Sequence, residues 1–242
     1  MKVLAIGNSF SQDATRYLHQ IAESQNVELE VVNLCMGGCP LEWHHDNMVG
    51  DKRNYMLEYN GKFTGFYVTM KEALESREWD VITLQQVSHY SPKIETYYPY
   101  VTEIVKYIRS MQPKARLLIH ETWAYEDGSK RLVEELKYAS SQAMLSDIRS
   151  AYSMIAESEG FDGIIPSGTL FGIMLDSGIE KVHRDTFHAD FGLGRYALGL
   201  LWFSYITGED ISANQYRKLD VIADENDIKV AIDCVKKVMM IR

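Results

Sequence analysis

Five short, almost wholly apolar runs recur along this chain, and segments of helical periodicity separate them. They are Lys2 to Ile6, Val27 to Leu34, Asp80 to Leu84, Ala115 to His120 and Gly163-Ile164-Ile165. A strand that is apolar on both sides has to be covered on both sides. The helical segments read 12–25, 69–77, 96–111 and 129–158 between the strands, then 190–207 and 222–240. Strands alternating with helices in this way require a parallel sheet between two helical layers. The expected fold is α/β: a three-layer α/β/α sandwich on a five-stranded parallel sheet. One further element falls outside that pattern. Tyr55 to Tyr59 and Lys62 to Phe66 flank Asn60-Gly61, a dipeptide suited to a type I′ turn. They read as a small β-hairpin insertion, an excursion from the main sheet. No repeat or linker divides the 242 residues, so a single domain spanning 1–242 with one core is expected.

Charge and cysteine content narrow the partners. The net charge is −9 and the basic residues are scattered. A nucleic-acid partner needs a basic face, which this pattern does not offer. Cys35, Cys39 and Cys234 are too few and wrongly spaced for a disulfide framework or a zinc finger. Reduced thiols in an intracellular protein fit better. No run of 18 apolar residues exists to span a membrane, and no signal peptide is visible. As written, the sequence reads as cytoplasmic, or as periplasmic or secreted if a leader has been trimmed.

In a parallel sheet of this kind, ligands bind beyond the carboxyl ends of the strands. Ser9 follows the first strand there, in Gly7-Asn8-Ser9-Phe10. A serine before a helix ordinarily caps it. It also sits among unpaired backbone N–H groups, so Ser9 can serve as a nucleophile whose own amide helps hold an oxyanion. Near the other end stands Arg184-Asp185-Thr186-Phe187-His188. In a tight turn Asp185 can orient the imidazole of His188, as the third member of a triad does. Asp190 competes as its partner, though it also suits the N-cap of the following helix. His44-His45-Asp46 lacks a matching carboxylate cluster, so no metal is expected. His44, after Gly38, reads as a pocket-wall residue. Trp43, Tyr90, Tyr97, Tyr98, Trp123 and Tyr125 lie on the same side, as platforms for a sugar or acyl group or as loop packing. Glu121 and His120 read as supporting or solvent-facing groups.

Taken together, Gly7-Asn8-Ser9-Phe10, a glycine after the second strand, a polar side chain after the third and Asp185-x-x-His188 resemble the SGNH (GDSL-like) hydrolase superfamily. The likeness covers roughly residues 1–207, and the segment is similar to a bacterial subgroup with no assigned chemistry. The resemblance implies a flavodoxin-like sandwich, an ester hydrolase, and no metal or other cofactor. It places nucleophile, acid and base on Ser9, Asp185 and His188. In Asn33-Leu34-Cys35-Met36-Gly37-Gly38, the family's Asn-x-Gly-x-x-Gly pattern puts an oxyanion N–H on Gly38. The family's third donor is an asparagine after the third strand. Here the chain reads Leu84-Gln85-Gln86, and either Gln86 or Gln85 could donate instead. The expected substrate is a small-molecule or carbohydrate ester with a short acyl chain such as acetyl. A non-catalytic ligand-binding module is the alternative. A nucleotide binder would need a Gly-x-Gly-x-x-Gly turn, which is absent.

Overall fold

The computed structural model describes residues 1–241. One sheet contains seven strands: β1 (Lys2–Gly7), β2 (Glu30–Cys35), β3 (Tyr55–Tyr59), β4 (Lys62–Val68), β5 (Val81–Leu84), β6 (Arg116–His120) and β7 (Gly163–Ile165). Their order is β4-β3-β2-β1-β5-β6-β7. The five apolar runs form the parallel part, β2-β1-β5-β6-β7. The chain winds one way from β1 to β2 and the other way from β1 to β5. That reversal opens a crevice at the carboxyl end of β1.

The hairpin corrects the expected five-stranded sheet. It is no excursion: β3 pairs antiparallel with β2, and β4 with β3. Left bare, the outer edge of β2 would expose unpaired N–H and C=O groups. Asn60 and Gly61 both have positive φ, 51° and 78°, as a type I′ turn requires. Asn60 also clasps β2: its N–H donates to the Val31 carbonyl at 2.8 Å, and its Oδ1 accepts from the Val31 N–H at 2.9 Å.

Nine helices cover the sheet among the described residues: α1 (Ser9–Thr15), α2 (Leu18–Ser24), α3 (Leu41–Val49), α4 (Met70–Glu75), α5 (Tyr100–Met111), α6 (Ser141–Ser158), α7 (Ser167–Asp176), α8 (Leu193–Thr207) and α9 (Glu225–Met240). The segment expected as one helix over 12–25 breaks into α1 and α2 around Tyr17. The segment expected over 129–158 holds a π-helical turn, Arg131–Glu135, before α6. Helix α8 is apolar on every side because it packs against α1, α2, α7 and α9 at once, and a helix apolar all round is a buried one. No helix among the described residues is long and apolar enough to cross a membrane.

Candidate active site

Strand β1 ends at Gly7, where the chain turns sharply into α1. A Cβ at Gly7 would stand 2.7 Å from both Gln85 Oε1 and Ser11 Oγ, so any larger residue forces those side chains to shift. The next residue, Asn8, is extended, and its side chain accepts the Phe10 N–H at 3.0 Å. Asn8 thus takes the capping role that a serine would otherwise fill. The Ser9 hydroxyl is left for another partner, and it lies 2.8 Å from His188 Nε2.

His188 arrives on a tight turn. Antiparallel bridging of His183 and Ala189 closes its base, and the Arg184 N–H donates to the His188 carbonyl at 3.0 Å. Thr186 adopts φ 79° to complete it. Both carboxylate oxygens of Asp185 face back: Oδ1 accepts the His188 N–H at 2.9 Å, and Oδ2 lies 2.8 Å from His188 Nδ1. With Nδ1–H donated to Asp185, Nε2 is the acceptor that faces Ser9. Burial pushes the Asp185 carboxyl up, but the hydrogen bonds from His188 outweigh it and hold the group below the usual carboxylate range. This geometry can pass a proton from Ser9 to His188 and stabilise the resulting imidazolium.

Asp13 holds the turn from beneath, a role the sequence reading missed. It is fully buried one helical turn beyond Ser9. Arg184 Nη1 donates to both of its oxygens at 3.0 and 2.9 Å, Arg195 Nε donates at 2.8 Å, and the Ala189 N–H at 3.1 Å. Arg195 continues to Asp220 at 3.0 Å. The available signal was that Asp13 is the only ionisable residue between Lys2 and Arg16, inside a segment that the core has to bury.

The two expected substrate-contacting residues are both fully buried and line no open surface. Trp123 is 0 % exposed, stacks on Phe10 with ring centroids 4.1 Å apart, and donates its indole N–H to the Phe187 carbonyl at 2.7 Å. It supports the His188 turn from below. His44 is also 0 % exposed and lies 2.9 Å from the Tyr55 hydroxyl through Nδ1. Burial lowers its pKa to about 3. It faces inward because α3, a helix outside the segments the sequence periodicity marks, turns that side of the segment onto β3. His120 and Glu121 are likewise buried rather than solvent-facing.

Both glutamine amides already have partners. Gln85 Nε2 donates to Asn8 Oδ1 at 2.9 Å, and its Oε1 lies 3.2 Å from His120 Nδ1. Gln86 Nε2 donates to the Thr96 carbonyl at 3.0 Å, while its Oε1 accepts the N–H groups of Leu41 and Val87 at 2.9 and 2.8 Å. They brace the floor and the loops around Ser9. Gly38 sits in a turn closed by the Cys39 N–H on the Met36 carbonyl, with φ 65°, a left-handed value that favours glycine. Asn8 Nδ2 ties that turn to the Ser9 turn through the Cys39 carbonyl at 3.1 Å. Among the described residues, neither the Ser9 nor the Gly38 N–H has an acceptor.

The chain matches the DUF4886 family, a domain of unknown function, over residues 2–234. No curated protein matches its sequence. Among solved structures, it is similar to a DUF4886 family protein from Bacteroides uniformis, with 32% identity and a TM-score of 0.92 over 99% of this chain and 95% of that one. It also resembles a candidate SGNH hydrolase from Slackia heliotrinireducens: 22% identity, TM-score 0.61, 84% of this chain and 97% of that one. An acetylxylan esterase from Geobacillus stearothermophilus shares the fold at 13% identity, with a TM-score of 0.56 over 86% of this chain and 94% of that one.

Proposed function

We propose, for a chain that belongs to the DUF4886 family and folds as the SGNH hydrolases do, that it is a serine ester hydrolase. The observation that carries this reading is the unbroken relay from Ser9 Oγ through His188 to Asp185, with both contacts at 2.8 Å. His188 takes the Ser9 proton as Ser9 Oγ attacks the ester carbonyl. The N–H groups of Ser9 and Gly38 receive the oxyanion. His188 then returns the proton to the leaving alcohol. Water attacks the acyl-Ser9 ester through the same steps and releases the acid. Asp185 keeps His188 in the required tautomer and stabilises its charged form.

A short acyl group, such as acetyl, on a carbohydrate or other small alcohol is the substrate class we favour. Of the aromatic residues expected on this side, Trp43 and Tyr90 are exposed and available as platforms, Tyr98 is exposed but its hydroxyl lies 2.8 Å from Ser158 at the end of α6, and Tyr97, Trp123 and Tyr125 are buried in packing. The acetylxylan esterase among the structural neighbours acts on a substrate of this kind. Substituting Ser9 by Ala tests the mechanism. Turnover of p-nitrophenyl acetate is expected to fall by about 10⁴ or more, because triad members act as a unit. Retention within about tenfold of the parent rate would refute it.

A second reading has one observation in its favour. Gln86 Nε2 donates twice to Thr96 and Gln85 Nε2 donates to Asn8 Oδ1, which leaves at most one Gln85 N–H for a third oxyanion contact, and losing such a donor costs about 10²–10³ in rate. A non-catalytic binding module on this fold would leave Ser9 unlabelled by a fluorophosphonate probe. Stoichiometric labelling excludes that module.

A further inference from the structure

The protein carries a net charge of −9, yet two cationic side chains, Arg131 and Lys93, stand at the rim beside the triad, where Glu135 also acts on Tyr125. Three loops converge there. The turn bearing His188 presents Phe187, whose ring centroid lies 4.0 Å from that of His188. The π-helical turn presents Arg131, with its guanidinium 4.1 Å above the Phe187 ring. The loop after β5 presents His89, Tyr90 and Lys93. The rings of His89 and Tyr90 are 4.3 Å apart, and the Lys93 ammonium lies 5.9 Å from the Tyr90 ring centroid. Tyr125 joins these loops, with its hydroxyl 2.8 Å from Ser88 Oγ and its ring 5.4 Å from that of Phe187.

Arg131 and Lys93 are exposed. Among the described residues, neither has a carboxylate at ion-pair distance. Seven other arginines, Arg16, Arg53, Arg77, Arg109, Arg184, Arg195 and Arg217, pair with carboxylates, whereas Arg116 and Arg149 resemble Arg131 in forming no ion pair among the described residues. The nearby Lys181 also pairs, with Glu126 at 3.7 Å. The pKa of His89 is held below its ordinary value, first by burial and then by Arg131 and Lys93. Both cations therefore act on the same small volume. The Arg131 guanidinium hydrogen-bonds the Tyr125 hydroxyl but has no carboxylate partner, and within two ring contacts of the catalytic imidazole it is suited to a carboxylate, sulfate or phosphate, which it can engage with paired N–H groups.

Resting on the ester hydrolase reading, we propose that Arg131 and Lys93 form a specificity rim that selects esters carrying an anionic group close to the scissile bond. The substrate is then an acidic ester, with its negative charge on either the acyl or the alcohol portion.

Matched ester pairs test this. For charge on the alcohol side, 4-acetoxybenzoate is compared with methyl 4-acetoxybenzoate. For charge on the acyl side, monophenyl adipate is compared with phenyl hexanoate. In one pair, kcat/KM is expected to favour the anionic member by roughly tenfold, through KM, as a charge-assisted contact would produce. That ratio should approach one in Arg131→Gln and Lys93→Gln and in about 0.5 M salt, which screens exposed charges. Arg131→Lys should retain part of it. A ratio of one or less in both pairs, or a preference that both Gln variants keep, overturns the proposal. Calorimetry of 4-hydroxybenzoate and adipate on Ser9→Ala, with and without Arg131→Gln, separates the two readings. Arg131-dependent binding without any ester turnover leaves the rim standing and removes the triad mechanism. Turnover without charge preference does the reverse. Neither turnover nor binding overturns both.

Discussion

Replacing Asp13 by Asn probes how Ser9 and His188 are held together. Asp13 is fully buried and receives Arg184, Arg195 and the Ala189 N–H, with donor distances of 2.8–3.1 Å. An asparagine keeps the shape but removes the charge, which strands two guanidiniums that are themselves mostly buried. Breaking a buried pair from one side costs about 3–5 kcal/mol. Arg195 retains Asp220 at 3.0 Å, which places the expectation near the lower figure, about 3 kcal/mol. For a chain of this length each kcal/mol moves Tm by about 2–4 °C, so a fall of about 6–12 °C is expected in thermal circular dichroism. Esterase activity, measured well below the new midpoint, should fall further than the folded fraction does, because the Ala189 N–H and Arg184 hold the turn that aims His188. Asp220→Asn is the control. Asp220 is partly exposed, and its loss should cost about 1 kcal/mol or less. A Tm for Asp13→Asn within about 2 °C of the parent, or unchanged kcat, would refute the reasoning.

Other expectations follow from the same contacts. Asp185→Asn should lower kcat by about 10⁴ while leaving the fold intact, since the imidazole loses the acceptor that fixes its tautomer; kcat within about tenfold of the parent would oppose this. Because the Asp185 carboxyl is held below the usual range, the stability it lends is complete above about pH 4 and is lost as pH falls further. That loss should be missing from the acid limb of urea-denaturation profiles of the Asn variant. Glu121 behaves oppositely: burial raises its pKa from 4.5 to about 7, against the opposing hydrogen bonds from Thr169. The folded state holds its proton more tightly, so the parent should lose stability as pH rises from 4.5 to 7. Glu121→Gln should flatten that slope, as denaturation midpoints across pH would report. Gly7→Ala would push its methyl against Gln85 and Ser11 and should cost about 1–3 kcal/mol, with a loss of fluorophosphonate labelling rate as Asn8 and Ser9 shift.

The parallel core was readable because both its periods are local. Val3 to Ile6 and Leu117 to Ile119 are apolar on both faces wherever they sit, and β1 delivers Ser9 to the crevice by topology alone. The pairing of β3 with β2 was not readable, since Tyr55 to Tyr59 carries no mark of which edge it will join. Helix α3 escaped because Trp43-His44-His45-Asp46 has no apolar stripe; His44 is buried by position, not by pattern. The polar floor escaped for a related reason. Asn8, Asn33, Glu58 and Gln85 read as surface residues one at a time, and only their mutual contacts make them interior: Asn33 Nδ2 donates to Glu58 Oε2 at 2.7 Å, and Ser11 Oγ lies 2.8 Å from Asn33 Oδ1. The position of Trp123 after the fourth apolar run puts it on the site's side of the sheet, but a sequence cannot say that such a ring lies beneath a loop.

The brace at Asp13 also bears on how the chain becomes competent as it is made. Ser9 and His188 are separated by 179 positions, and the carboxylate that aligns the second sits on the same short helix as the first. A chain made only through β7 still lacks His188, and Asp13 on α1 still lacks Arg184 and Arg195. One short segment, 184–195, supplies Arg184, Arg195 and His188 together. The Ser9–His188 contact therefore depends on residues 184–195, and a chain that ends before them holds Ser9 and Asp13 without their partners.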